Sequence, residues 1–399
     1  MPRRTRVDPG DFVPDHKVRL LLGGKPYFEV LVQLIEQARE RIHLQVYIYE
    51  ADATGQLIAD ALIGAAKRGV DVYVLVDGYG SQGLDKSFIA QFKENGVRFR
   101  VFQPLLQSKH FYVGRRMHQK VLVVDARYAV ITGANIGDKY NDQPGQSAWL
   151  DFALCVEGAI AKSLCKACRV MWKNFQPLGR VSDRWCTPGS TDIDFGFEAT
   201  CAVRMRRNDW VRRKYDISRT YRALFRQANE RVILLSSYFL PGRTVRNDIV
   251  AAVRRGVKVQ LIICSRMDVP LVKDAERFMY NWLLRHGVEI YEYTGNMLHG
   301  KLATCDERWM TIGSFNVNDL SARVSIELNV DLQGKAFVQR TIRELEHIMS
   351  RHGARVTGNS VEAKSHLLTR LMQWLAFHTL RVIFFLGTFY MKQEKRRSD

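Results

Sequence analysis

Two short runs of the chain carry the same reactive side chains at the same spacing. His118 is followed by Lys120 after two residues, by Asp125 after seven and by Asn135 after 17. His299, Lys301, Asp306 and Asn316 repeat those intervals. At about 1/20 per residue type, four residues at set offsets arise by chance on the order of 10⁻⁵ per starting position. A lone His-x-Lys on a strand is usually a surface accident; two copies with matching partners are a signal. A further match follows each run: Trp149 to Gly158 answers Ser325 to Gly334, and Asp151 and Glu327 each lie seven residues before the closing glycine.

These residue types suit phosphoryl chemistry. Histidine and lysine two apart on a strand point to one face of a sheet. With the amides of Asn135 and Asn316 and the hydroxyl of Ser314 they make a site for an anion with tetrahedral oxygens. The cations neutralise charge on a phosphoryl group in transfer, the work a metal does elsewhere. No acidic cluster for Mg²⁺ and no glycine-rich nucleotide loop is visible, so neither metal nor cofactor is expected. Two imidazoles across one phosphorus allow a double displacement, one attacking while the other protonates the leaving alkoxide and then serves as base. Asp151 and Glu327 are expected to orient them. Asp125 and Asp306 complete the candidate catalytic set of His118, Lys120, His299 and Lys301. Their places at strand ends also suit fixing a turn.

The elements that must position these residues are written twice as well. Val18 to Leu22 reads as a strand, Tyr27 to Arg39 as a helix, Ile42 to Tyr49 as a strand and Leu57 to Lys67 as a helix stopped at Gly69. Val70 to Val76 is a nearly continuous apolar strand, the kind covered on both faces. Tyr221 to Asn229, Val232 to Phe239, Ile249 to Arg254 with Gly256, and Val257 to Ile263 repeat that order. Phe88 to Asn95 answers Phe278 to His286. Two βαβα units of about 160 residues predict a parallel-rich sheet with helices on both faces. The boundaries fall at a polar lead-in over 1–17, a first half over 18–180, a junction over 181–200, a second half over 201–350 and a C-terminal tail over 351–399.

The chain has 399 residues, 46% of them hydrophobic, enough for two cores. Its formal net charge of +19 predicts attraction to polyanions, either nucleic acid or an anionic membrane face. No secretory signal opens it, which predicts the cytosolic side and reduced thiols for its seven cysteines. Cys165, Cys168, Cys186 and Cys201 lack the tight second spacing of a four-thiolate zinc site. Leu371 to Met391 is the most apolar segment. It is long enough to span a bilayer, but Gln373, His378 and Arg381 interrupt it. It reads as an aromatic, basic helix lying in the membrane interface in preference to a spanning one, with Lys392, Lys395, Arg396 and Arg397 suited to anionic headgroups. A helix packed back on the core is the competing reading. Phe111 to Arg116 either borders a lipid path or is an ordinary loop.

The doubled motif resembles the phospholipase D superfamily. Residues 50–60, Asp77-Gly78-Tyr79-Gly80-Ser81, Arg115-Arg116-Met117-His118, Ala134-Asn135-Ile136, Leu298-His299-Gly300-Lys301 and Gly313-Ser314-Phe315-Asn316 are similar to bacterial cardiolipin synthases, most of all the shorter B type. The resemblance spans roughly residues 18–385. It implies an α/β fold of two similar βαβ sandwich halves packed around one shared active site. It further implies transfer of a phosphatidyl group between two phosphatidylglycerol molecules through a phosphohistidine, with His118 attacking, at the cytoplasmic side of the cell membrane and with peripheral or C-terminal anchoring. Many relatives carry Gly-Gly where this chain has Thr132-Gly133. The alternatives are a phosphodiesterase of the same superfamily using water, either a lipid hydrolase or a nuclease, and a non-catalytic membrane-binding protein. The apolar C-terminal segment favours an anionic phospholipid and a membrane surface as partners, with no nucleic acid expected.

Overall fold

A computed structural model describes residues 12–103, 115–173, 183–359 and 367–398. Residues 1–11 of the lead-in, 111–114 of the aromatic and basic stretch, 181–182 of the junction, and 360–366 and 399 of the tail lie outside the described residues. The first half runs β1 (Val13–Leu22), α1 (Lys25–Gln37), β2 (Arg41–Val46), α2 (Ala53–Lys67), β3 (Asp71–Asp77), α3 (Lys86–Glu94), β4 (Arg98–Phe102), β5 (Arg116–Met117), β6 (Val121–Val124), β7 (Tyr128–Thr132), β8 (Phe152–Glu157) and α4 (Ala159–Trp172). The second runs β9 (Ala199–Asp209), β10 (Lys214–Tyr215), α5 (Asp216–Gln227), β11 (Arg231–Ser236), α6 (Arg243–Arg254), β12 (Lys258–Cys264), α7 (Pro270–Phe278), α8 (Tyr280–Arg285), β13 (Glu289–Tyr293), β14 (Lys301–Cys305), β15 (Trp309–Gly313), α9 (Asp319–Arg323), β16 (Ser325–Gln333), α10 (Lys335–His352) and β17 (Gly353–Val356). A long helix, α11 (Leu367–Ser398), follows.

Helix limits follow local chemistry. Asp52 caps α2 by accepting from the Gly55 N–H at 2.8 Å. Gly69 and Gly256 stop α2 and α6 at φ 89° and 90°, a conformation with little cost only for glycine. Helix α6 starts at Arg243, earlier than the predicted Ile249, because its first turn is polar and carries no apolar period. Strand β1 begins at Val13, ahead of the predicted Val18.

The sheet is mixed, which corrects the expectation of a parallel-rich one. In each half three strands are parallel, β2–β3–β4 and β11–β12–β13. The motif strands add as antiparallel pairs, β6–β7–β8 and β14–β15–β16; the turns that join β6 to β7 and β14 to β15 are only three residues long, too short for a parallel crossover. The half-sheets join through β1, which pairs with β8 on one side and β9 on the other, while β9 pairs with β16. One hydrogen-bonded sheet therefore crosses from half to half. Alternate residues of the motif strands enter different cores. Leu122 and Val124 pack outward under α1 and α2, whereas Val121 and Val123 pack inward with Leu302, Ile312 and Leu328 of the other half. This inward layer is shared by both halves, and α4 and α10 contribute to it.

Junction residues Ile193 and Phe195 lie in the first half's outer core. Cys165 of α4 and Cys186 are joined as a disulfide, with Cα atoms 5.9 Å apart, which overturns the expectation that all thiols are reduced. Sequence spacing carries no pairing information; the fold of residues 183–186 onto α4 brings them together. The other five cysteines are free and buried. Among the described residues no helix is long and apolar enough to cross a membrane. One face of α11 packs back on the second half through Ala376, Leu380 and Phe377, the last lying 4.9 Å from the Phe278 ring. The other leaves Leu371, Met372, Trp374, Leu375, Val382 and Ile383 exposed.

Asp125 and Asp306 belong to this scaffold. The Asp125 carboxylate accepts from the backbone N–H groups of Arg39, Glu40 and Arg41 and from the Thr191 hydroxyl. Asp306 does the same for Asn229, Glu230 and Arg231. Each thus ties the turn between a helix and the next strand to the far end of the motif strand. Backbone amides hold the Asp306 carboxyl below its ordinary range despite burial. Replacing either by alanine removes the acceptor of three backbone N–H groups at a helix–strand turn. We expect Asp125→Ala or Asp306→Ala to cost roughly 2–4 kcal/mol, read as a lowered melting temperature or denaturant midpoint.

Candidate active site

His118 and Lys120 stand just ahead of β6, and His299 and Lys301 at the start of β14. Each motif is stitched to the other half by backbone. Ser325 and Ile326 of β16 pair in parallel with Arg116 and Met117 of β5, and the His118 N–H donates to the Ile326 carbonyl at 2.9 Å. The His299 N–H donates to the Leu150 carbonyl at 2.7 Å, beside a bridge between Leu150 and Leu298. In both cases the accepting residue directly precedes the candidate orienting carboxylate.

The side chains cross in the same way. His118 Nδ1 lies 3.0 Å from both carboxylate oxygens of Glu327, and His299 Nδ1 lies 2.7 Å from Asp151 Oδ2. Each imidazole of one half is therefore held by a carboxylate of the other. Such a carboxylate fixes the hydrogen on Nδ1 and leaves the Nε2 lone pair free to react. Burial is the main cause lowering both histidines, with opposing support from their carboxylates; His299 falls to about 3. The charge of Lys301 reaches His118, and that of Lys120 reaches His299, so the two motifs share one electrostatic environment. Asp151 stays below the ordinary carboxylate range against its own burial, because His299 and Lys301 stabilise its charge.

Both lysines are buried. Burial pulls Lys120 to about 7 and Lys301 to about 8, against the attraction of Glu327 and Asp151. Lys120 donates to the His118 carbonyl at 2.6 Å, and Lys301 donates to that of His299. Lys301 Nζ is also 3.0 Å from His299 Nδ1, but Asp151 is nearer and takes that nitrogen's hydrogen. The remaining candidates divide. Ser314 donates to Glu327 Oε2, so it braces the carboxylate. Asn316 accepts from the Ser237 hydroxyl through Oδ1 at 2.8 Å. The Asn135 amide is engaged at both ends, accepting from the Ile48 N–H at 3.1 Å and donating to the Tyr140 hydroxyl at 2.8 Å. Asp125 and Asp306, by contrast, are held at the far strand ends by backbone amides.

Three aromatic residues escaped the sequence reasoning. The Tyr47 ring meets His118 edge-on at 4.9 Å with Lys120 Nζ 5.2 Å from its centre, and the Tyr140 and Trp149 rings lie 5.2 and 5.9 Å from His299. The repeat hides Tyr47, because Ser237 holds the matching place after β11. Its position at the end of a parallel strand was the available clue.

The family described as cardiolipin synthase, phospholipase D-like domain, matches residues 31–150 and 221–349, one block in each half. The chain belongs to that family. Cardiolipin synthase B of Escherichia coli K12 is 33% identical over 369 residues, covering 92% of this chain and 88% of the relative. A cardiolipin synthase of Halalkalibacterium halodurans is 29% identical over 345 residues. Among solved structures, phosphatidylserine synthase of Haemophilus influenzae Rd KW20 superposes with a TM-score of 0.72 at 14% identity, covering 94% of this chain and 96% of that one, a likeness of fold.

In this member of the cardiolipin synthase family Gly133 stands where the second half has Ser314. A Cβ there would lie 2.7 Å from Asp151 Oδ1 and 3.1 Å from Lys301 Cδ. Gly133→Ala must displace one of them. We expect it to lower turnover about 10²-fold with little change in melting temperature, since a misplacement of about 1 Å costs that much.

Proposed function

We propose that the chain moves a phosphatidyl group from one phosphatidylglycerol to the primary hydroxyl of a second, giving cardiolipin and glycerol. Membership of the family makes it a phosphatidyltransferase of the cardiolipin synthase class acting on phospholipid. The observation that carries the finer reading is the crossed pairing of His118 with Glu327 and His299 with Asp151.

With His118 as the attacking group, its Nε2 lone pair forms a bond to phosphorus. The bond from phosphorus to the glycerol oxygen breaks, and His299 supplies the proton to that oxygen. Burial favours neutral His299; the phosphodiester anion raises its affinity for a proton, so the acid is charged as substrate binds. Neutral His299 then takes the proton from the second phosphatidylglycerol's hydroxyl. Its oxygen bonds to phosphorus, and the bond from phosphorus to Nε2 breaks. Lys120, Lys301 and the Asn316 amide bind the phosphoryl oxygens, and Ser314, Asp151 and Glu327 hold the imidazoles in place. Glycerol and cardiolipin leave with the protein unchanged. The exposed face of α11 and the basic residues Lys392, Lys395, Arg396 and Arg397 would seat the protein peripherally on the cytoplasmic face of the cell membrane.

Incubation with phosphatidylglycerol vesicles should yield cardiolipin, and His118→Ala or His299→Ala should lower that yield at least about 10³-fold. Phosphatidic acid as the sole product would instead assign water as acceptor, and mass spectrometry of a trapped phosphohistidine identifies the attacking residue. The lysines set the pH dependence. They are cationic only below their lowered values of about 7 and 8, so kcat/KM should fall as pH rises through that range. The bound phosphodiester favours the protonated lysines, so the matching fall in kcat should come at higher pH. An activity flat to pH 10 would remove the lysines from phosphate binding.

A further inference from the structure

The run Asp77-Gly78-Tyr79-Gly80-Ser81 supplies no group to the phosphoryl site, yet it places a third buried carboxylate beside that site. Asp77 is the last residue of β3 and is fully buried. Its Oδ2 accepts from the Met117 N–H at 2.8 Å, and Met117 directly precedes His118. Its Oδ1 accepts from the N–H groups of Tyr79 and Gly80 at 2.9 and 3.1 Å. Burial pushes the carboxyl upward and the three N–H groups pull it back, the set expected around an ionised carboxylate. The Ser81 hydroxyl donates to the Tyr47 carbonyl at 3.0 Å and accepts from the Tyr49 N–H at 3.0 Å. One turn thus holds both the segment that carries His118 and Tyr47, whose ring meets that histidine.

The second half answers position for position. Cys264 is the last residue of β12, and Leu298 directly precedes His299. The Leu298 N–H donates to Cys264 Sγ at 3.3 Å, and the thiol donates to the Arg266 carbonyl in the turn that follows. Burial pushes this thiol upward, which keeps it neutral. The two strand ends therefore hold the two histidine segments alike, one with a charged acceptor and the other with a weak neutral one.

We propose that Asp77 and Cys264 are matched positioning residues of the phosphoryl site: each fixes the segment ahead of its histidine, and Asp77 also supplies a counter-charge to Lys120. Burying a carboxylate is costly, and a neutral acceptor suffices for the N–H, as Cys264 demonstrates. A charge at position 77 therefore needs a use. Arg116 Nη1 lies 3.9 Å from Asp77 Oδ1, and the same charge favours the Lys120 cation, together with Glu327 and Asp151 and against Lys301. In the second half Lys301 draws on Asp151, Glu327 and Asp268. The phosphate-binding role of Lys120 rests on the proposed function.

The test is consumption of phosphatidylglycerol by the full chain across the pH range of both lysines, counted as cardiolipin plus phosphatidic acid so that either acceptor registers. Asp77→Asn keeps the side chain's shape and one acceptor oxygen but removes the charge. The other groups around it, Arg116, Tyr47, Lys120, Glu327, Asp151 and Lys301, are unchanged. It should lower kcat about tenfold through a displaced imidazole. It should also move the fall of kcat/KM governed by Lys120 to lower pH, because a cation that loses a counter-charge releases its proton more readily. Cys264→Asp places a carboxylate at the matching position and should move the later fall, that of Lys301, to higher pH. Lys273, which bonds to the Cys264 carbonyl, offers the new charge a partner beside Glu276. Cys264→Ser keeps both hydrogen bonds and should retain most activity, whereas Cys264→Ala should lower kcat about tenfold with neither fall displaced. A purely structural role would lower the melting temperature and leave both falls in place. Falls unmoved in Asp77→Asn and Cys264→Asp alike, or equal kcat in Cys264→Ser and Cys264→Ala, overturn the proposal. Should Asp77→Asn not fold, the three substitutions at position 264 decide it. A wild-type chain that yields phosphatidic acid and no cardiolipin would sink the transfer reaction, and the same displacements would still decide the roles of Asp77 and Cys264.

Discussion

Each imidazole depends on a carboxylate supplied from far along the chain, 209 positions from His118 and 148 from His299. That requirement governs the architecture. Residues so distant stay within a hydrogen bond of each other only if their strands are fixed in register. The continuous pairing of β8 with β1, β1 with β9 and β9 with β16 provides that register. The backbone bonds from His118 to Ile326 and from His299 to Leu150 complete it, since each anchors the residue next to the carboxylate in use. Neither half has an oriented imidazole without its counterpart.

The energetics of that arrangement run against stability and toward chemistry. Two lysines, His299 and two carboxylates are buried, and His118 is partly buried, beside an apolar layer made of Val121, Val123, Leu302 and Leu328. Removing such groups from water costs several kcal/mol per ion before pairing returns part of it. The low dielectric that makes this expensive also strengthens the attraction for a transferring phosphoryl group. It shifts the histidines and lysines downward as well, which favours neutral imidazoles. The cost is met elsewhere, in the two outer cores and in the carboxylates of Asp125 and Asp306, which lock the helix–strand turns.

Much of this was legible in the sequence. The doubled spacing singled out both histidines, both lysines and the carboxylates, and the structure brings them together in two crossed pairs. The helix and strand order repeated closely enough to give two α/β halves. The crossing was not legible: nothing in the order of residues says that Glu327 serves His118 and Asp151 serves His299. Pairing across halves is a property of the joined sheet, as is the mixed strand direction. Tyr140 was missed because its role comes from a ring edge against His299, and the Cys165–Cys186 bridge because contact, not spacing, decides which thiols meet. Helix α6 began early because a solvent-facing first turn has no apolar period to announce it.

The joining of the half-sheets through β1 and β9 bears on how such a protein could have arisen. A polypeptide with one motif would present an imidazole with no carboxylate, and an open strand edge beside it. Two copies meeting edge to edge would cure both faults at once, and fusing them into one chain would preserve the symmetric centre. Fusion also lifts a constraint that identical subunits cannot escape, since a change on the outside of one unit need no longer appear on the other. The long helix α11, which packs on the second half, is a freedom of that kind.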